Sequence, residues 1–369
     1  MQKSSDMNKN NYCIIMAGGA GVRFWPMSRD SKPKQFINIL GLDKSLIQMT
    51  YERFKIIIPA ENIFVVTSDK YASLVQEQIP SLKEYQIVSE PARRNTAPCI
   101  AYATHKIMAL NVDANIVVAP SDHIIINEID FSKIIKQSLR AVEKDDILMT
   151  LGITPSRPDT GYGYIQYVFD SKYKKNKNIR KVKTFTEKPQ YEMAVEFLKC
   201  GEFLWNSGIF IWSGKSILKA FEKHLYDVYE LFQKGNNLYN TNDEKQFIQD
   251  IYPICKSISI DYGIMEKAEN VYVYISNFGW SDIGTWGSLH DLKEKDKNNN
   301  AIYGKNVMLY NVTNSIVNMP KDKLAVIHGL DDYIIVEDNN ILLICKKSDE
   351  QTIRQFVNDV HAEKGDKYI

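Results

Sequence analysis

The residues best suited to chemistry lie in Ile14–Phe36, IIMAGGAGVRFWPMSRDSKPKQF. An apolar run ends in Gly18, Gly19 and Gly21, and basic residues follow at Arg23, Arg29, Lys32 and Lys34. Glycines after a strand let backbone N–H groups come close to phosphate oxygens. Arg23 and Lys34 then suit a polyphosphate by charge. The loop is neither a dinucleotide fingerprint, because Phe24 stands where the last glycine would be, nor a Walker A loop, because no G-K-[ST] follows. A plain glycine turn with solvated basic residues would explain the glycines alone. It does not explain Trp25-Pro26, Ser28-Arg29 and Pro33-Lys34-Gln35 at these spacings. Two aspartates add a second kind of chemistry. Asp122 ends an apolar run, and Asp282 sits in a turn before a helical pattern. Two carboxylates together with phosphate and water oxygens suit octahedral Mg²⁺. The plain alternatives are a strand-end turn for Asp122 and a helix N-cap for Asp282.

The elements that must position these residues alternate over the first 150 residues. Asn11–Met16, Asn62–Thr67, Gln86–Ser89, Ile116–Ala119 and Ile147–Gly152 are apolar and lack polar alternation. Between them, Ser45–Ile58, Lys70–Ile79, Ala97–Leu110 and Phe131–Glu143 have helical spacing. This predicts an α/β domain: a doubly wound, mostly parallel, Rossmann-like sheet that binds ligands beyond its carboxyl edge. From Gly161 to about Leu292 the pattern turns α+β, with strands at Tyr164–Phe169, Val182–Phe185, Ile209–Trp212 and Val271–Ile275 and a polar loop at Gln233–Glu244. A charged run at Lys293–Asn300 marks a boundary, and short β patterns follow it, then a helix from Glu350 to Val360. The expected division is a disordered tail at 1–11, a catalytic domain at 12–292 (a nucleotide half at about 12–155 and a sugar half at about 156–292) and a C-terminal β-rich domain at 300–369.

Composition sets outer bounds. The chain has 369 residues, 25% of them charged, with a net charge of +1. That balance argues against a protein built to coat nucleic acid or an anionic membrane. Length alone suggests about two domains. The five cysteines form no C-x-x-C pair and fit reduced thiols in a cytoplasm. No apolar run approaches the roughly 20 residues of a membrane span, and the polar start shows no signal-peptide core.

The Ile14–Phe36 segment resembles the signature of sugar-1-phosphate nucleotidylyltransferases, G-G-x-G-x-R-[LF]-x-P-x-[ST]-x-x-x-P-K. Its W-P-x-S-R and P-K-Q-F forms are similar to the mannose-1-phosphate guanylyltransferase branch. Further segments match in order: Glu90-Pro91 with Arg94-Asn95-Thr96-Ala97-Pro98, Pro120-Ser121-Asp122-His123, Gly161-Tyr162-Gly163-Tyr164-Ile165, Phe185-Thr186-Glu187-Lys188-Pro189, Trp205-Asn206-Ser207-Gly208 and Trp280-Ser281-Asp282-Ile283-Gly284. Each match alone is weak, and their order makes them specific.

The resemblance implies transfer of GMP from GTP to α-D-mannose 1-phosphate, giving GDP-mannose and pyrophosphate. It assigns Asp122 and Asp282 to the metal, Mg²⁺ or another divalent cation, which reverses the cap reading of Asp282. Arg23 and Lys34 join them as catalytic residues. Ala17, Gly18, Gly19, Gly21, Glu90, Asn95, Thr96 and Ser121 would hold the nucleotide, and Asn95 or Thr96 would also start the helix that follows. Gly161, Gly163, Glu187, Lys188 and Asn206 would hold the sugar phosphate; their plain alternatives are a β-turn and a solvated strand end. His123 is expected to be structural, because a sugar phosphate, with a second pKa near 6, is dianionic at neutral pH and needs no base. The C-terminal region resembles a short left-handed β-helix used for oligomer contacts, so a cytoplasmic homodimer is expected. Two alternatives stay open: the same chemistry with another hexose or a heptose 1-phosphate, and a silent subunit that binds GDP-mannose.

Overall fold

The computed structural model describes residues 7–369 except 20, 170, 174 and 175. Of the expected tail, residues 1–6 lie outside the described residues, whereas Asn11 already begins the first strand. Contacts group the chain into two units along other lines than the charged run suggests. One unit is formed by residues 1–18, 50–121 and 125–280, the other by residues 19–49, 122–124 and 281–369.

The first unit is built on strands β1 (Asn11–Met16), β2 (Ile63–Ser68), β3 (Ile87–Glu90) and β4 (Asn115–Pro120). A two-residue strand, β5 (Ile124–Ile125), follows in the chain, then β6 (Leu148–Ile153), β7 (Tyr164–Val168), β8 (Ile179–Thr186), β9 (Phe203–Ser213) and β10 (Val271–Ser276). Nine of these strands form one sheet in the order β3-β2-β1-β4-β9-β6-β10-β8-β7. Strands β3, β2, β1 and β4 pair in parallel, as do β6 and β10. The expected mostly parallel sheet is nonetheless mixed. Strand β9 runs against both β4 and β6, and β8 runs against β10 and β7. The reason lies in the Gly161–Leu292 stretch, whose strands fold back on one another and thread into the sheet. Strand β9 is also longer than its apolar half, Ile209–Trp212, because it includes the polar Trp205-Asn206-Ser207-Gly208.

The helices of this unit form for visible reasons. Helix α1 (Leu46–Lys55) is followed by α2 (Ala72–Gln78) and α3 (Thr96–Leu110), the last packing on β1 and β2. Helix α4 (Glu128–Lys144) buries Phe131, Ile135, Leu139 and Val142, one stripe of a 3.6-residue period. The Asn127 side chain caps it by accepting from the Asp130 N–H at 3.1 Å, and Glu128 and Asp130 favour its positive end. Helices α5 (Tyr191–Cys200), α6 (Gly214–His224), α7 (Tyr226–Gln233) and α8 (Glu244–Ile251) complete the unit. The expected polar loop at Gln233–Glu244 ends in a buried residue. The Glu244 carboxylate receives Lys106 Nζ at 2.8 and 2.5 Å, the Tyr102 hydroxyl at 2.6 Å and the Asn240 N–H at 2.6 Å.

In the second unit, strand β11 (Trp280–Ser281) enters from the first and helix α9 (Trp286–Leu292) follows. Strands β12 (Ala301–Tyr303), β13 (Val307–Tyr310), β14 (Ile316–Asn318), β15 (Ala325–His328), β16 (Tyr333–Asp338) and β17 (Ile341–Lys346) make the β-rich part. Strands β12, β14 and β16 pair in parallel, and so do β13 and β15, while β16 and β17 form an antiparallel hairpin. Helix α10 (Ile353–Lys364) closes the unit. Its core is shared with the glycine loop: Phe24, Trp25, Ile37 and Ile39 are buried among Trp286, Ile316, Ile334 and Ile353. The Phe24 and Trp286 ring centroids are 5.1 Å apart. Trp25 Nε1 donates to the Tyr368 carbonyl at 2.8 Å, and Arg29 donates to the Asp338 carbonyl at 2.9 Å. All five cysteines are free, and among the described residues no helix is long and apolar enough to cross a membrane.

A buried ion pair costs most when one partner is removed. Lys106→Met, which strands the Glu244 carboxylate, is expected to lower stability by about 3–5 kcal/mol in urea unfolding. Adding Glu244→Gln to that variant is expected to recover part of the loss, because it removes the stranded charge and keeps an acceptor.

Candidate active site

In the second unit, three chain segments meet at a cavity of about 380 Å³ lined by Gly21, Arg23, Lys34, Asp122, His123 and Asp282, among others. Lys34 follows Pro33 in a short 3-10 turn and is only 4% exposed. Its ammonium donates to Asp122 Oδ2 at 2.9 Å and to the Asp282 carbonyl at 2.7 Å. Burial raises the Asp122 pKa, but the Lys34 charge, His123 and the hydrogen bond from Lys34 outweigh it and hold the carboxyl below its ordinary value. Gly21 has a φ of 64°, and a side chain there would run into Lys34 Cβ. The turn is thus closed to other residues by both backbone and space. Asp282 does not cap the helix that follows. Thr285 does, accepting from the Ser288 N–H at 3.2 Å, while Asp282 Oδ1 accepts from the Gly284 N–H at 3.1 Å. Arg29, one of the loop cations, is taken up by Pro26 and Asp338.

The first unit carries two further groups. Glu90, at the end of β3, accepts from the Tyr252 hydroxyl and lies beside Gly18. Burial raises its pKa to about 7, against the lowering effect of the Tyr252 bond. Asn95, at a φ of 66°, caps α3 through its own side chain, which accepts from the Thr96 N–H at 2.8 Å. The Thr96 hydroxyl accepts from the Ile260 N–H at 2.9 Å. Ala17 and Ser121 serve the sheet with their main chains. Ala17 O accepts from the Thr67 hydroxyl at 3.0 Å, and Ser121 O from the Thr50 hydroxyl at 3.1 Å. Gly19, which belongs to the second unit, has open space where a Cβ would stand.

The second group surrounds Asn206. Its Nδ2 donates to Asp261 Oδ1 at 2.9 Å, while its Oδ1 accepts from the Thr150 hydroxyl at 2.9 Å and the Gly208 N–H at 3.3 Å. Its N–H donates to the Gly163 carbonyl at 2.8 Å. A side chain on Gly163 would collide with the Glu187 carboxylate, and Glu187 pairs with the exposed Lys188 ammonium. The Gly161 N–H donates to Asp159 Oδ1 at 2.8 Å. Burial, and then the nearby Glu187 charge, raises the Asp261 pKa to about 6.

Residues 12–299 match the nucleotidyl transferase family. The chain belongs to that family. It is 33% identical to the alginate biosynthesis protein AlgA of Pseudomonas aeruginosa over 359 residues, which cover 95% of this chain and 72% of AlgA. It is 34% identical to a putative mannose-1-phosphate guanylyltransferase of Vibrio cholerae over 366 residues, 96% of this chain and 75% of that protein. A solved structure described as mannose-1-phosphate geranyltransferase from Thermus thermophilus superposes with a TM-score of 0.84 at 25% identity, covering 95% of this chain and 99% of that one.

Of the residues singled out in this nucleotidyl transferase, Arg23, Lys34, Asp122 and Asp282 come together in one cavity. Gly163, Glu187, Lys188 and Asn206 come together in another part of the chain. Tyr252, Asp261 and Arg354 went unmarked by sequence reasoning. Tyr252 and Asp261 lie in turns where no charge pattern or spacing singles them out. Arg354 lies on α10, where it reads as one more solvated helix residue although it lines the cavity of Asp122 and Asp282.

The raised acids give a pH test. A carboxyl whose folded pKa exceeds its unfolded value binds more protons folded than unfolded, so stability falls as pH rises between the two. For Glu90 that window runs from about 4.5 to about 7. Glu90→Gln is expected to flatten this part of the stability profile, measured as denaturant midpoint against pH.

Proposed function

We infer that the chain transfers GMP from GTP to α-D-mannose 1-phosphate, giving GDP-mannose and pyrophosphate. The observation that carries this reading is the gathering of Arg23, Lys34, Asp122 and Asp282 at one cavity. It is supported by relatives named mannose-1-phosphate guanylyltransferase, among them that of Salmonella muenchen, 31% identical over 96% of this chain.

The chemistry is phosphoryl transfer without an acid or base residue. The sugar phosphate is dianionic near neutral pH and attacks the α-phosphorus in line, and pyrophosphate leaves. Arg23 offers a planar fork of donors to the leaving pyrophosphate. Lys34 has three N–H donors, spends two on Asp122 and the Asp282 carbonyl, and keeps one for an α-phosphate oxygen. Among the described residues there is no cluster of three or more His, Cys, Asp or Glu side chains fit to hold a metal. Two carboxylates with phosphate and water oxygens are nonetheless what Mg²⁺ takes. Asp122 and Asp282 would hold such a cation, which when bound neutralises phosphate charge. Gly18, Gly19 and Gly21, with Ala17 and Ser121, let the backbone approach the nucleotide. Glu90, Asn95 and Thr96 hold its base and ribose. Glu187 and Asn206, beside Gly161 and Gly163, bond the sugar hydroxyls, and Lys188 meets the sugar phosphate.

The parallel coils β12–β14–β16 and β13–β15 support a short left-handed β-helix in the C-terminal part. Exposed Met308, Tyr310 and Val326 on it suit a homodimer contact, and the free thiols fit a cytoplasmic enzyme.

Pyrophosphate release over a grid of GTP, ATP, UTP and dTTP against mannose, glucose and heptose 1-phosphates tests the reading. Release confined to GTP with mannose 1-phosphate is expected. Release with another sugar alone would overturn the substrate, and GDP-mannose binding without release in any combination would overturn the activity. Arg23→Ala and Asp122→Asn are each expected to lower kcat about 100-fold or more with secondary structure retained by circular dichroism, Asp122→Asn also lowering the unfolding midpoint because Lys34 loses its charged partner; near-normal turnover in either would overturn its role.

A further inference from the structure

Arg354 lines the same cavity as Arg23, Lys34, Asp122 and Asp282, yet it comes from helix α10 at the far end of the sequence. Its position is fixed by its neighbour. Ile353 is fully buried in the core that also holds Phe24 and Trp25, so α10 packs directly on the turn that carries Arg23. Arg354 is exposed and lines the cavity, and among the described residues its guanidinium has no hydrogen bond or ion pair.

Helix stability does not account for an arginine there. Basic residues are favoured at a helix's last turn, where α10 indeed carries His361 and Lys364. Arg354 stands in the first α-helical turn, directly after a 3-10 run from Lys347 to Thr352, and so gains nothing from the helix's negative end. The acid that helical spacing would offer it, Glu350, is turned elsewhere. Its carboxylate accepts from the Gly287 N–H at 2.7 Å and from Thr285. An unpaired guanidinium held by a buried neighbour at a cavity with two other cations is suited to a multiply charged anion.

We propose that Arg354 is a second arginine for the pyrophosphate part of the reaction, binding the β- and γ-phosphate oxygens of the triphosphate and the pyrophosphate that leaves. The assignment to pyrophosphate rests on the role proposed above for Arg23, against whose turn α10 packs. The C-terminal part then supplies a ligand-binding residue besides any contact between copies.

The test uses the whole chain and the variants Arg354→Gln and Arg354→Lys. Two measurements are made: the reverse reaction from GDP-mannose and pyrophosphate, and calorimetric binding of magnesium pyrophosphate without turnover. Loss of a charged, bidentate phosphate contact is expected to raise KM for pyrophosphate and weaken its binding about 10-fold or more in Arg354→Gln. KM for GDP-mannose should stay within about 2-fold, and Arg354→Lys should recover part of the loss. Unchanged pyrophosphate KM and binding in Arg354→Gln, with the unsubstituted protein active, would overturn this proposal alone. Equal losses for both substrates together with a lowered unfolding midpoint would also overturn it, by making Arg354 a residue of the fold. Weaker pyrophosphate binding in Arg354→Gln, with no turnover by the unsubstituted protein, would uphold Arg354 and overturn the transferase reading. Neither turnover nor binding in the unsubstituted protein would overturn both.

Discussion

A buried ammonium needs partners, and the second unit is arranged to give Lys34 two of them. Taken out of water alone, such a charge would cost several kcal/mol. Here a carboxylate at 2.9 Å and a backbone carbonyl at 2.7 Å replace the water. Those partners come from Asp122 and Asp282, which are distant in sequence, so satisfying one side chain ties three chain segments together. Gly21 completes the constraint, because the ammonium's own stem occupies the space a side chain would need. The groups suited to bind phosphate and metal are therefore the groups that hold this part of the fold in place.

This explains why the compact units ignore the boundary suggested by composition. The glycine loop does not belong energetically to the strand that leads into it. Phe24 and Trp25 bury their rings beside Trp286 and the β-rich coils, and Arg29 and Trp25 bond to carbonyls of Asp338 and Tyr368. A loop rich in glycine is conformationally costly to order. Aromatic burial on this scale, with each ring worth roughly 2–3 kcal/mol, offsets that cost.

Much of this was legible in the sequence, for reasons of period and punctuation. Helix α4 follows its apolar stripe, and β1, β2 and β4 follow runs that are buried at successive residues. Arg23, Lys34, Asp122 and Asp282 stand out because their types are costly to place without a purpose. What escaped was decided by tertiary contacts. The reversal of β9 leaves no mark in a strand's own composition. Glu244 looks like loop polarity until Lys106 and Tyr102 are beside it. Tyr252 and Asp261 matter through what they touch, Glu90 and Asn206, and no spacing announces such pairs.

The bonds around Asn206 fix the polarity of its amide. The Gly208 N–H donates to the carbonyl oxygen and one amide proton is committed to Asp261, while the single Thr150 hydroxyl proton is shared between that oxygen and the Ile209 carbonyl. The group cannot flip without setting its oxygen against the half-buried Asp261 carboxylate. On the proposed reading, the one amide proton that remains is what Asn206 donates to a sugar oxygen. A carboxylate such as Glu187 imposes the opposite demand, since once ionised it can only be donated to. Replacing a sugar hydroxyl by fluorine, which keeps weak accepting power and abolishes donation, would thus be tolerated against the amide and rejected against the acid.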